Sequence, residues 1–214
     1  MCDAGPVVPD VLALYSGSPG RARARAWARW ATTPVRAVGQ RVPARGRVLE
    51  VGCGLGVICC HLALGSPERD VVGTDGDLDD IVQARLAARR AGSRAARCEF
   101  QLTPPGEVPE GPWDAVLLVD ALARLDPAAQ EGLVGSCALE LALGGVLLVK
   151  EMGPRPRWKL PGPHGGPAPQ QLEQWMEDAG LVVSREAVDS GFPQPHHLVT
   201  GARRRSVRSV PSRD

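Results

Sequence analysis

Short apolar runs recur along the chain at positions 48–51, 70–74, 98–102, 113–120 and 146–150. Most are rich in Val and Leu with little polar alternation, the pattern of strands buried on both faces of a parallel sheet. Between them lie segments with helical character: VICCHLAL from Val57, a stretch over 78–91, and one opening at Pro127. Strand and helix alternate, which predicts an α/β sandwich. A further helix is expected over 170–178, followed by runs at 181–188 and 195–202 that read as a closing antiparallel hairpin.

The ends of these segments carry their own signals. The 78–91 helix begins among Asp77, Asp79 and Asp80 and ends near Arg89 and Arg90, as the helix dipole favours, with Gly92 as its stop. Asp126 reads as an N-cap with Pro127 at the first helical position, opening a helix expected to reach about Leu143. Gly144 and Gly145 then turn the chain into the fifth run. Upstream, RARARAWARWA over 21–31 alternates like a strand, but alanine is the best helix former and is depleted in strands. Wound as a helix, it places Ala24, Trp27, Ala28 and Ala31 on one face, expected to dock on the sheet, and Arg21, Arg25 and Arg29 on an outward face.

The candidate chemistry begins where the first run meets glycine. Arg47 to Gly56 reads RVLEVGCGLG, so Glu50 precedes glycines at 52, 54 and 56, with Cys53 between the first two, and a helix follows at once. Glycines there allow φ > 0 and a close backbone approach to a ligand. The second run ends on Asp75 and Gly76, the place where a Rossmann-type sheet puts its ribose-binding carboxylate. The dinucleotide pattern G-x-G-x-x-G/A fails, because its third position falls on Val57 or Cys59. A carboxylate at Glu50 would repel a pyrophosphate and suits a cation such as a sulfonium or an α-ammonium group.

ExGxGxG after the first strand, with Asp75 after the second, resembles the class I S-adenosylmethionine (SAM) methyltransferases of the bacterial small-molecule, biosynthetic type. The resemblance implies a Rossmann-like sandwich, with a seven-stranded, mostly parallel sheet in the order 3-2-1-4-5-7-6. It implies that Gly52, Cys53, Gly54 and Gly56 wrap the amino-acid end of SAM, with Glu50 nearby, and that Asp75 and Gly76 meet its ribose. The acidic residue that many relatives carry after the third strand is replaced by Thr103-Pro104-Pro105, leaving adenine to main-chain and apolar contacts. The implied division is a helical cap over 1–46, a SAM-binding domain over 47–202, and a disordered basic tail over 203–214.

This resemblance fixes the cofactor and leaves the acceptor open. Asp120 and Glu151 close the fourth and fifth strands, where open parallel sheets bind ligands, and are the preferred catalytic candidates. Asp120 also stands at the cofactor. His196 and His197 are further candidate bases, of which only one can face a pocket. Residues 153–169 are rich in proline and glycine, and a lid over the substrate is expected there, with Arg155, Arg157, Trp158 and His164 as substrate contacts. Tyr15, the only tyrosine, is a further candidate for substrate contact.

Charge sharpens the acceptor question. The net charge of +1 hides basic ends and an acidic body, and no acid lies between Asp10 and Glu50. That favours an anionic or carrier-bound small-molecule acceptor, and keeps open an RNA or protein methyltransferase using the basic ends. A non-catalytic SAM-binding partner subunit is the third reading. The six cysteines form no C-x-x-C or Cys/His ligand spacing, so no metal is expected. Free thiols, no signal-like N-terminus and no apolar run of membrane-spanning length lead to a cytoplasmic, non-membrane expectation.

Overall fold

The computed structural model describes residues 8–152, 166–188 and 196–204. Three helices come first: α1 (Val8–Ala13), α2 (Gly20–Thr32) and α3 (Val35–Arg41). The alternating body follows as β1 (Gly46–Val51), α4 (Val57–Gly65), β2 (Arg69–Asp75), α5 (Leu78–Ala91), β3 (Cys98–Leu102), β4 (Trp113–Val119), α6 (Pro127–Leu139) and β5 (Leu141–Met152). It closes with α7 (Pro169–Asp178), β6 (Leu181–Val188) and β7 (His196–Arg203).

The seven strands form one sheet in the order β3-β2-β1-β4-β5-β7-β6, the expected topology. β1 to β5 pair in parallel, and β7 runs antiparallel between β5 and β6. Central strands bury both faces. Ala115, Leu117 and Val119 of β4 join the core beneath α1–α5, while Val116 and Leu118 join the core beneath α6 and α7. Helix α4 is apolar nearly all round, because it is sandwiched between the sheet and the N-terminal helices.

Two expectations need correcting. Helix α6 ends at Leu139, and residues 141–143 already belong to β5. The glycine pair lies inside that strand, with Gly144 at φ 81°. The pairing jumps there from Trp113↔Leu141 to Ala115↔Val146, so the glycines accommodate a bulge rather than start the strand.

The second correction concerns α2. Its buried residues are Ala22 and Ala26, whereas Trp27 is 64% exposed. Positions 22, 25, 26 and 29 form one helical stripe, so Arg25 and Arg29 lie on the inward face. Small alanines let the helix lie close to the body, and the two long arginines then reach over the strand ends.

Candidate functional site

The site lies at the C-terminal ends of β1, β2 and β4. After Val51 the chain turns through the three glycines, with φ of 75° at Gly52, 53° at Gly54 and 72° at Gly56. The N–H groups of Gly52 and Cys53 both donate to the Thr74 carbonyl, at 2.8 and 2.9 Å, tying the turn to β2. Gly56 has a different task from its neighbours. A Cβ there would strike the Phe100 ring, so this glycine lets α4 pack on β3. Gly52 and Gly54 line the pocket and Gly56 does not.

Asp75 is held by backbone. Its Oδ2 accepts the Gly54 N–H at 2.8 Å and its Oδ1 accepts the Asp77 N–H at 3.0 Å. Each oxygen keeps an acceptor site, and the residue lines the pocket beside Gly76. Such a carboxylate fits two neighbouring hydroxyls, as on a ribose. The stretch Thr103–Glu107 closes this side, with Pro104 and Pro105 as its apolar surface.

Asp120 is held by cations. Lys150 Nζ donates to both its oxygens, at 2.6 and 2.8 Å, and Arg29 Nη1 donates to Oδ2 at 2.9 Å. Arg29 Nη2 also donates to the Val119 carbonyl, and its guanidinium lies 3.8 Å from Glu50. Asp120 has φ 51°, an uncommon conformation for a residue other than glycine, which this double grip maintains. The Lys150 side chain is fully buried, and burial lowers its pKa while the Asp120 charge opposes that shift. Arg25 makes a second inward pair, with two contacts of 2.6 Å to the buried Asp80.

Several expected residues stand just behind the pocket. Glu50 is buried; its Oε2 accepts the Cys59 thiol at 2.9 Å and its Oε1 has no hydrogen-bond partner among the described residues. Burial pushes its carboxyl up to about 7, with Arg29 pulling the other way. Glu151 accepts the Leu122 N–H at 3.0 Å, and burial followed by the Asp120 charge raises it to about 7. It does not line the pocket. His196 is buried and His197 half-buried, and neither lines the pocket.

Tyr15 requires a correction. It is 1% exposed, and its hydroxyl donates to the Leu55 carbonyl at 2.8 Å. It braces the glycine turn from behind instead of contacting a substrate. Arg155, Arg157, Trp158 and His164 lie outside the described residues. Arg25, Arg29, Arg124 and Lys150 were not among the site residues expected from sequence. The i, i+4 spacing of Arg25 and Arg29 with Ala22 and Ala26 held a signal, but the bulk of Trp27 pointed to the wrong face.

The cavity has a volume of about 730 Å³ and runs from Asp75 past the glycine turn to Ala28 and Thr32 of α2, Arg124 and Leu133. Sheet order, glycine turn and strand-end carboxylate together define the class I SAM-dependent methyltransferase fold. Residues 48–145, a little under half of the chain, match the methyltransferase domain family.

Solved structures agree on the fold. An O-methyltransferase family protein from Burkholderia thailandensis superposes with a TM-score of 0.68 at 18% identity, covering 91% of this chain and 63% of that one. This chain therefore spans less than two thirds of that protein's length. Magnesium protoporphyrin IX methyltransferase from Synechocystis PCC 6803, with bound SAM, gives a TM-score of 0.67 at 15% identity, covering 89% and 88%. The [4+2]-cyclase SpnF gives 0.68 at 16% identity, covering 80% of each chain. A sequence search of curated proteins finds no match. Among the described residues no helix is long and apolar enough to cross a membrane.

Proposed function

We propose that this protein transfers the methyl group of SAM to a small molecule held between α2 and the turn after β4. The observation that carries this reading is a cavity of about 730 Å³ that continues beyond the glycine turn to a wall of Ala28, Thr32, Leu125 and Leu133. Its size falls within the roughly 300–1,000 Å³ range of small-molecule sites.

SAM supplies a methyl already activated by its sulfonium; the protein has to align an acceptor with it. In this reading Asp75 takes the ribose hydroxyls, and the Gly52–Leu55 turn lies along the rest of the cofactor. Asp120, fixed by Lys150 and Arg29, presents a rigid negative charge at the end of β4. The inward turn of Arg25 and Arg29 disfavours an RNA-binding role for that face, since both guanidiniums are engaged by carboxylates of the same chain.

The test is purified protein with methyl-labelled SAM and a cell extract split into RNA, protein and small-molecule fractions. Label in the small-molecule fraction is the expected result. Label confined to RNA or protein would overturn the acceptor class, and no label in any fraction would favour the non-catalytic reading.

A further inference from the structure

The titratable groups lining the cavity, taken one by one, leave little to remove a proton from an acceptor. Among the described residues no His, Lys or Tyr lines it. Asp77 caps α5 by accepting the Asp80 N–H at 3.1 Å. Asp75 faces the β2 side with its two backbone bonds, and Glu107 lies on the stretch after β3, across β2 and β1 from the end of β4. The Cys53 thiol is buried, and its pKa is raised. Asp120 accepts three hydrogen bonds from an ammonium and a guanidinium, which take up most of its lone pairs.

The cations are also unevenly used. Arg25 is committed to Asp80 and Arg29 to Asp120. Arg124, in the turn Leu122–Arg124 after β4, lines the same cavity and makes no hydrogen bond or ion pair with a described residue. Beside it lie Leu125 and Leu133, an apolar wall.

We propose that the acceptor is a carboxylic acid, bound as its carboxylate by Arg124 and methylated on oxygen to a methyl ester. This rests on the methyltransferase reading above and narrows its acceptor. Magnitudes decide between acceptor groups. At pH 7 a carboxyl with pKa near 4 is ionised by about a thousand to one. A phenol or an alkylammonium with pKa near 10 has only about a thousandth of its molecules in the nucleophilic form. A pocket whose described lining offers no free base suits the first and handicaps the others. A planar fork of N–H donors on Arg124 matches a carboxylate, and the leucines suit an apolar body behind it.

The step balances without a base. One carboxylate oxygen forms the new C–O bond as the methyl C–S bond breaks, and the electron pair goes to sulfur. Carboxylate and sulfonium become a neutral ester and a neutral thioether. The acceptor's proton has already gone to solvent before binding.

The experiment incubates the protein with methyl-tritiated SAM and the small-molecule fraction of a cell extract, then treats the product with mild alkali. Methyl esters release labelled methanol, whereas methyl ethers, N-methyl and C-methyl products keep their label. Base-labile label is expected. Base-stable label overturns the carboxylate proposal but leaves the methyltransferase reading standing; no transfer at all overturns that reading and the proposal with it. Arg124→Gln should raise the apparent KM for the extract about tenfold to a hundredfold, with SAM affinity unchanged. Arg124→Lys should fall between wild type and Gln. An unchanged KM in Arg124→Gln, or a Lys variant as weak as Gln, overturns the role of Arg124.

Discussion

Asp75 and Asp120 each stand at the C-terminal end of a parallel strand and face one cavity, yet they are held by opposite means. Asp75 is gripped by two backbone N–H groups and keeps acceptor sites open. Asp120 is gripped by a lysine and an arginine from two other elements, with most of its acceptor capacity taken. Backbone donors come with the turn itself, so the β2 side is pre-organised wherever the glycine turn folds. Side-chain cations require α2 and β5 to be in place first. On the proposed function, the cofactor wall is therefore a local structure, and the acceptor wall is a product of tertiary assembly.

The sharpest way to break that contrast is Lys150→Met. The substitution keeps the length of the side chain but leaves Asp120 with Arg29 as its only cationic partner in a part-buried site. Breaking a buried pair from one side typically costs about 3–5 kcal/mol, so a loss within about that range in urea unfolding is expected. SAM affinity should change much less than stability. If stability is unaffected, the Arg29–Asp120–Lys150 cluster does not hold the acceptor wall together.

Asp75→Ala acts on the other wall. Removing a charged acceptor of two hydrogen bonds should weaken SAM binding by about 4 kcal/mol, roughly a thousandfold, by calorimetric titration. The fold should survive, because the turn remains tied to Thr74. A variant that binds SAM like wild type would remove Asp75 from the cofactor site.

The same contrast explains what could be read from the chain. The strands themselves, the glycine turn, Asp75 and the closing hairpin follow from local patterns: apolar runs, glycines where φ is positive, and a carboxylate at a strand tip; the strand order followed only from the family resemblance those patterns carry. Gly56 was legible as a required glycine, but its purpose was not, because the Phe100 ring that excludes a side chain comes from β3, far along the sequence. Lys150 looked like the polar end of an apolar strand, and nothing local says that its ammonium meets Asp120. The inward face of α2 was misread because amphipathicity weighs bulk. Here two alanines make the close approach, and Trp27 faces outward.

Glu50 lies at the seam between the two walls, and its response to pH is the finest test of how they meet. It is buried, with one oxygen on the Cys59 thiol and the other unpartnered among the described residues at 3.8 Å from Arg29. Burial raises its carboxyl to about 7, above the usual value near 4.5. The folded state thus holds a proton that the unfolded chain has released, so stability falls as pH rises from about 4.5 to about 7 and levels off above. For one such group the loss between pH 5 and pH 8 is on the order of 2–3 kcal/mol. Glu151, also raised to about 7, adds a slope of the same sign, so wild type alone cannot assign the effect. Glu50→Gln removes one titration and leaves the other. Urea unfolding at pH 5 and pH 8 should show the variant losing about 2–3 kcal/mol less than wild type over that interval. Equal losses would mean that Arg29 keeps Glu50 ionised throughout. The seam would then be a salt bridge continuous with the Asp120 cluster, rather than the neutral boundary that burial favours.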